Sequence, residues 1–314
     1  MESFIEVKNL KKIYKLRTGY LHAVEDVSFT IKRGTTLGVV GESGCGKSTL
    51  GKTMLRLVEP TSGEILLEGE DILKFGRSDR KKIHKNMQMI FQDPYASLDP
   101  RMLVKDIIAE PLKVCEKGLS KSEIKDRVLE VAGYCGLQED ALEKYPFEID
   151  SGFRQRVGLS RAMIVKPSFI VCDEPVSALD VSIQAQILNT LDMLRKKDNL
   201  SYMFITHDLA VVRHISNEIM VMYMGCVVEY ADTETLFNEP LHPYTKALLA
   251  SVPTINLDSR NKPMQLLEGE VTSPVNPPKG CRFKSRCPYA SSKCDEPVNL
   301  KDVGNGHKVA CALV

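Results

Sequence analysis

A glycine-rich loop that follows an apolar run restricts the fold of this chain more than any other feature. Residues 41–49 read GESGCGKST and match the pattern G-x-x-x-x-G-K-[ST]. The five residues before them, TLGVV, are typical of a buried strand, and a helical segment follows. In that context the loop amides wrap a chain of phosphates, the lysine reaches the outer phosphates and a hydroxyl binds Mg²⁺. The pattern predicts a strand–loop–helix phosphate site in an α/β fold.

The residues that we assign to this phosphate site are Gly41, Ser43, Gly44, Cys45, Gly46, Lys47, Ser48 and Thr49. Ser48 is the predicted magnesium ligand, and Cys45 is interpreted as a small filler.

Charge and hydropathy exclude several functional classes. The 314 residues include 42 Lys+Arg and 41 Asp+Glu, so the formal net charge of +1 gives no indication of a nucleic-acid partner. No apolar run approaches the roughly 18 residues that cross a bilayer. The acidic, alternating segment after Met1 is not typical of a signal peptide. We therefore expect a chain that stays in the cytoplasm and can dock on a membrane protein.

Hydrophobic periodicity predicts a central core with additions at three places. Alternation near residues 4–9 and 24–31 predicts antiparallel N-terminal strands, and the texture turns helical from about 93 to 166. Within that insertion Ser120 and Glu123 form a capping box. Strand and helix patterns then resume as expected of a mostly parallel sheet. We predict a nucleotide-binding domain over 1–255, with a helical subdomain at about 93–166, and a proline-rich and cysteine-rich extension over 256–314.

A second chemical signal is an apolar run at 169–172 that ends in Asp173 and Glu174. Such a pair is often only a polar strand end. Downstream of a phosphate loop, however, Asp173 can hold the Mg²⁺ shell and Glu174 can act as general base toward water. The two signals together indicate nucleotide hydrolysis.

Three further motifs extend the pattern: FQDP around Gln92, SALD ending at Asp180, and THD around His207. With the loop and the acidic strand end, they make residues 4–255 resemble the ABC ATPases. The resemblance implies that Gln92 contacts Mg²⁺ and senses a transmembrane partner. It also implies that Asp180 crosses a dimer interface and that His207 steadies the γ-phosphate. Tyr14 is the candidate for stacking on adenine, with Tyr20 or simple surface packing as alternatives.

The signature motif of these ATPases is altered here. ABC ATPases close head to tail, with each ATP between one phosphate loop and the partner's LSGGQ. Aligning the intact RQR at 154–156, which follows the signature in this family, puts Asp150, Ser151, Gly152 and Phe153 in the last four signature positions. Asp150 can cap the helix and repel the γ-phosphate, or it can cap the helix and point away. We expect a heterodimer with a second ATPase chain of intact signature, one catalytic site and one degenerate site.

Four of the nine cysteines crowd the C-terminal extension: Cys281, Cys287, Cys294 and Cys311. An odd total in a chain without a signal peptide argues against a disulfide framework. The spacing is neither a paired zinc motif nor a ferredoxin run. A [4Fe-4S] cluster, Zn²⁺ and free thiols all remain open on the residues alone.

The C-terminal sequence narrows the resemblance. HPYTKALL at 242–249, PVNPP at 274–278, GCRF at 280–283 and RCP at 286–288 are similar to the ATPases of oligopeptide/dipeptide (Opp/Dpp) importers. FQDPYASL at 91–98 is more similar to the second ATPase subunit, lettered F. Several members carry a [4Fe-4S] cluster on such cysteines, and the resemblance implies one here.

The resemblance also implies a peptide importer with ATP and Mg²⁺ as ligands. Its partners would be two transmembrane permease subunits and an extracellular or periplasmic substrate-binding protein, with this chain peripheral on the cytoplasmic face of the membrane. Alternatives are an importer of nickel or another small solute and a regulatory subunit with little turnover. A DNA-repair or translation ATPase is disfavoured because there is no coiled-coil insertion, second cassette or basic patch. An exporter is disfavoured because no transmembrane domain is fused.

Overall fold

The computed structural model describes residues 3–76, 79–177, 179–251 and 273–314. Its contacts divide the chain into two compact units. The first comprises Met1–Ile5, Ile31–Thr36 and Leu66–Ile205, and the second comprises Glu6–Thr30, Leu37–Ile65 and Thr206–Val314. The predicted domain boundary near residue 255 falls outside the described residues and stays a prediction.

The N-terminal strands form a small sheet. Strand β1 (Ile5–Leu16) lies between β2 (Gly19–Ile31) and β4 (Ser62–Leu67), and β4 pairs antiparallel with the short β5 (Glu70–Asp71). Only two residues connect β1 to β2, a length that joins antiparallel strands. The prediction of antiparallel N-terminal strands is confirmed.

The first unit contains three strands that pair in parallel: β6 (Met87–Ile90), β7 (Phe169–Asp173) and β8 (Ser201–Ile205). All five residues of β7 and of β8 are buried, as continuous apolar runs favour. The helices of this unit are α2 (Arg80–Asn86), α3 (Val104–Cys115), α4 (Lys121–Tyr134), α5 (Ser151–Met163) and α6 (Val181–Asp198). The capping box predicted at Ser120 and Glu123 is present at the start of α4.

The second unit combines parallel and antiparallel pairs. Besides most of the small N-terminal sheet, it contains β3 (Thr36–Val40), β9 (Glu218–Tyr223), β10 (Cys226–Asp232), β11 (Lys301–Asp302) and β12 (Lys308–Val309). Strand β3 runs parallel to β9, but β9 and β10 form an antiparallel hairpin. A two-residue turn cannot return a parallel strand, so the mostly parallel arrangement predicted for this part of the chain ends at β9.

The C-terminal segment packs within the second unit. Strand β12 pairs with β10, and the backbone of Val275 bridges to Leu21 of β2. Phe283 is 1% exposed and belongs to a core cluster with Tyr223 and Tyr244. The helices of this unit are α1 (Lys47–Met54), α7 (Leu209–Ile215), α8 (Thr233–Asn238) and α9 (Pro243–Ala250). Together these features confirm an α/β fold with a loop-rich C-terminal extension.

Candidate nucleotide site

The loop at 41–49 connects β3 to α1 and depends on glycine at two close approaches. Gly41 has φ 151° and Gly46 has φ 106°, values that side-chain-bearing residues rarely adopt. A Cβ on Gly41 would lie 2.2 Å from the carbonyl oxygen of Met222, and one on Gly46 would lie 2.0 Å from that of Ala23. The backbone therefore packs so closely that no side chain fits at either position.

Lys47 begins α1 and holds the loop together. Its Nζ donates to the carbonyl oxygens of Gly41 at 2.7 Å and Glu42 at 2.9 Å, and the residue is 4% exposed. Ser48 and Thr49 follow in the first turn, where helix amides and the helix dipole favour an anion. Burial raises the pKa of the Cys45 thiol, which agrees with its interpretation as a small filler. Gly44 has φ 78° with no atom within 4 Å of a Cβ, so it contributes only its backbone conformation.

The acidic end of β7 has a special backbone. Asp173 is 3% exposed, while Glu174 adopts φ 45°, a left-handed conformation that costs about 1–2 kcal/mol in a residue with a side chain. The Glu174 N–H donates to the carbonyl oxygen of Ile205 at 2.9 Å. Gln92 Nε2 donates to Glu174 Oε2 at 3.0 Å. The structure thus brings together two predicted catalytic residues that lie 82 positions apart.

His207 lies in the turn between β8 and α7. The preceding Thr206 donates its N–H to the carbonyl oxygen of Val39 at 3.2 Å, and the following Asp208 caps α7 through the N–H groups of Ala210 and Val211. The His207 side chain is exposed between these two anchors. Its backbone is therefore fixed on both sides, and its phosphate role stays a prediction.

The segment that the sequence predicts as the altered signature begins α5. Asp150 is the N-cap, and its Oδ1 accepts a hydrogen bond of 2.9 Å from the N–H of Phe153. Ser151 and Gly152 form the first turn, and a Cβ on Gly152 would meet Ile183 of α6 at 3.0 Å. The capping part of the Asp150 prediction is observed. The carboxylate occupies an amide that an incoming anion would otherwise use.

Asp180 caps α6 through the N–H of Ile183 at 3.0 Å, and this hydrogen bond lowers the pKa of its carboxyl group. Ser177 Oγ donates to the carbonyl oxygen of Glu174 at 3.2 Å, which ties this segment to the end of β7. Ala178 lies outside the described residues. The predicted dimer contact of Asp180 is not tested by these bonds.

Tyr14, the candidate for adenine stacking, is half-buried in β1. The Lys12 ammonium lies 4.7 Å from the centre of its ring. The alternative, Tyr20, is 51% exposed. Stacking on adenine stays a prediction for Tyr14.

The four C-terminal cysteines lie near one another. The N–H of Cys281 donates to the carbonyl oxygen of Cys294 at 2.8 Å. Burial raises the pKa of the Cys281 thiol, and the charges of Cys294, Cys311 and Cys287 raise it further. Within the described ranges, no group of three or more His, Cys, Asp or Glu side chains is arranged to hold a metal ion.

Sequence reasoning missed three residues around the phosphate loop. Glu42 lies inside the loop, its N–H donates to Tyr244 Oη at 2.9 Å, and its carboxylate pairs with Arg286. Tyr244 and Arg286 belong to the motifs HPYTKALL and RCP, which carry the resemblance to peptide importers. The presence of Tyr244 and Arg286 in these motifs indicated that the two residues matter. A motif does not show, however, which part of the fold its residues contact.

Two family profiles match the chain. Residues 24–177 match the family described as ABC transporter. Residues 228–294 match the family described as oligopeptide/dipeptide transporter, C-terminal region.

Individual relatives match over nearly the whole chain. The oligopeptide transport ATP-binding protein AppF of Bacillus subtilis is 46% identical over 322 residues, which cover 99% of this chain and 98% of that protein. The oligopeptide transport ATP-binding protein OppF of Haemophilus influenzae is 48% identical over 311 residues, which cover 98% and 94%. Among solved structures, the dimeric ATP-binding cassette MJ0796 in a post-hydrolysis state with ADP and Pi is similar, with a TM-score of 0.68 and 27% identity over 73% of this chain and 98% of that one.

Proposed function

We propose that this chain hydrolyses ATP to drive the import of peptides through a membrane permease, because it belongs to the ATP-binding proteins of oligopeptide ABC transporters. The observation that carries the proposal is the contact between Gln92 and Glu174 at the end of β7. This contact holds the Glu174 carboxylate at the end of a buried strand. Glu174 has a left-handed backbone conformation, which the surrounding hydrogen bonds must maintain.

In this proposal Glu174 accepts the proton of the attacking water. Gln92 orients the carboxylate by donating to one of its oxygens, so a shift of Gln92 changes the aim of the base. Lys47 offers its ammonium to the outer phosphates, and His207 steadies the γ-phosphate. Asp173, Ser48 and Gln92 carry oxygen atoms of the kind that Mg²⁺ prefers, and bound Mg²⁺ would draw negative charge from the phosphates.

The test is Glu174→Gln in the assembled transporter. We expect ATP turnover to fall to background while ATP binding remains, because the amide cannot accept a proton. Full turnover by the variant would refute the assignment of Glu174 as the base and favour a regulatory role for this chain.

The degenerate site is a finer part of the proposal. Asp150 puts a carboxylate at the N-terminus of α5, where the signature of a dimeric ABC ATPase meets the partner's ATP. We infer that this chain works with a second ATPase chain of intact signature, which completes a hydrolytic site on Glu174. A purified homodimer with full transport-level ATPase activity would contradict this division of labour.

Peptides are the proposed cargo because the relatives are named for oligopeptide transport. Nickel or another small solute is the alternative. Uptake of labelled peptide and of ⁶³Ni²⁺ by cells with and without the gene distinguishes them. Loss of nickel uptake alone would reject the peptide assignment.

The partners in this proposal are two permease subunits, a substrate-binding protein and the second ATPase chain, with this chain peripheral to the membrane. No helix among the described residues is both long enough and apolar enough to cross a bilayer. Co-purification with the permeases from solubilised membranes tests the assembly. A chain found only with ribosomes or DNA would support a non-transport ATPase.

A [4Fe-4S] cluster on Cys281, Cys287, Cys294 and Cys311 remains a proposal. Its support is the mutual proximity of the thiols and the resemblance of their motifs to the peptide importers. A single Zn²⁺ at about 2.3 Å from each sulfur needs a tight tetrahedron of thiolates, and no such group occurs in the described part of the chain. A [4Fe-4S] cluster is larger than a single zinc ion, so the four sulfur atoms that bind it lie farther apart. Absorbance near 400 nm and iron content of anaerobically purified protein test it, and stoichiometric zinc or metal-free thiols would reject it.

A further inference from the structure

An ion pair links the phosphate loop to the cysteine-bearing segment. Arg286 donates from Nη1 to Glu42 Oε2 at 2.7 Å and from Nη2 to Oε1 at 3.0 Å. The two residues are 244 positions apart, and their side chains are only 5% and 23% exposed. A two-pronged pair of this geometry fixes direction as well as charge.

Glu42 is held at all of its polar groups. Its N–H donates to Tyr244 Oη at 2.9 Å, its carbonyl oxygen accepts from Lys47 Nζ at 2.9 Å, and its carboxylate binds Arg286. The residue therefore connects the phosphate-binding lysine directly to the C-terminal segment.

The segment that carries Arg286 is itself anchored in the core. Phe283, three residues earlier, packs edge-on against Tyr223 with ring centroids 5.3 Å apart, and lies 5.4 Å from the ring of Tyr244. Arg286 also lies within 3.5 Å of Tyr223 Oη. The guanidinium is thus placed by buried aromatic packing and does not depend on a mobile surface side chain.

The charge of Glu42 conflicts with the function of the loop. Glu42 is the acidic residue of the sequence GESGCGKST, and that loop receives a polyanion. A partly buried carboxylate there is screened less than a surface one, so its repulsion of phosphates persists at ordinary salt. Arg286 forms a two-pronged ion pair with this carboxylate.

We propose that Arg286 is a positioning residue of the nucleotide site: it neutralises Glu42 and orients the phosphate loop, so that ATP affinity depends on the fold of the C-terminal cysteine segment. The proposal rests on ATP binding by the loop and is independent of the cargo, the altered signature and the cluster.

The experiment measures equilibrium binding of ATP and of AMP to the full-length chain. For Arg286→Gln we expect the Kd for ATP to rise about tenfold or more and the Kd for AMP to change by less than about threefold, because repulsion grows with phosphate charge. Glu42→Gln should bind ATP at least as tightly as the unmodified chain. The double variant Glu42→Gln/Arg286→Gln should return to within about twofold, which a purely structural role of Arg286 would not produce.

The matched control is Lys284→Gln. It removes a positive charge from the same turn, but Lys284 pairs with Asp295 and not with the loop. We expect its Kd for ATP to stay within about twofold.

Two results would overturn the proposal: an unchanged ATP affinity in Arg286→Gln, or a double variant as weak as the single one. If Arg286→Gln does not fold, Arg286→Met takes its place, since it also removes the charge, and an unchanged ATP affinity in it overturns the proposal. Arg286→Lys keeps the charge and should lose less than about threefold in affinity. A tenfold loss in Arg286→Lys or in Glu42→Gln would refute charge neutralisation. The experiment measures binding and does not depend on turnover or transport. The binding results can therefore be interpreted even if the transport proposal fails.

Discussion

Replacing Asp150 by serine separates the two effects of a carboxylate at the start of α5. Asp150 now accepts a hydrogen bond of 2.9 Å from the N–H of Phe153. Serine is about as good an N-cap as aspartate, so Asp150→Ser should leave the free energy of unfolding within about 0.5 kcal/mol. Asp150→Ala loses the cap as well as the charge and should cost about 1 kcal/mol.

The effect on ATP binding should be larger than the effect on the free energy of unfolding. An anion that reaches the first turn of α5 approaches the carboxylate to about 4 Å, where each pair of unit charges repels by about 1 kcal/mol in water and about 4 kcal/mol at an effective dielectric constant of 20. Even the lower figure changes a dissociation constant about fivefold. We therefore expect Asp150→Ser and Asp150→Ala to tighten ATP binding at the facing site by at least that factor.

The assay uses the proposed two-chain ATPase complex with Lys47→Ala in this chain, so that, in the proposed head-to-tail arrangement, the remaining ATP binds on the partner's phosphate loop opposite Asp150. Equilibrium binding gives the dissociation constant, and urea unfolding of the isolated chain gives the stability. Unchanged affinity in both variants, with the expected loss of stability in Asp150→Ala, would refute the repulsion. It would establish Asp150 as a cap that points away from the nucleotide.

Three further changes probe the two units separately. Gln92→Ala should lower ATP turnover about tenfold or more, because the hydrogen bond that orients the Glu174 carboxylate, worth about 1.5–3 kcal/mol, is lost; equal turnover would exclude Gln92 as the residue that orients Glu174. Phe283→Ala should cost about 3–5 kcal/mol in urea unfolding, since the ring is fully buried; a loss below 1 kcal/mol would show that the segment is not part of the core. Burial lowers the pKa of His242 to about 4 from 6.5, so the folded state resists protonation and stability falls by about 3 kcal/mol as the pH drops from 6.5 to 4. His242→Asn, which keeps a cap acceptor for α9, should lose that part of the pH dependence, and an identical pH profile would contradict the assignment.

Local sequence patterns predicted the parts of the site that short-range geometry controls. The strand at 36–40, the glycine loop and the helix that begins at Lys47 form one continuous stretch. The same holds for the capping box of α4 and for the buried strand that ends at Asp173. In each case the conformation depends on residues within about one turn or one strand, so the local sequence is enough to predict it.

Orientation and pairing were less accessible to the sequence. The apolar runs at 219–223 and 227–230 are typical of strands, but only the turn between them makes β9 and β10 antiparallel. The backbone of Glu174 is left-handed and its N–H donates to Ile205 of the neighbouring strand, and no pattern at 169–174 expresses either feature.

What the sequence by itself determined is the chemistry of a phosphate loop and an acidic strand end; the altered signature stays a prediction. Only the tertiary structure decided that Gln92 binds Glu174 and that Arg286 pairs with an acid inside the phosphate loop. The physical reason is sequence separation. Backbone conformation follows from neighbours along the chain, whereas the partner of a charge 82 or 244 positions away is set by the packing of the whole core around it.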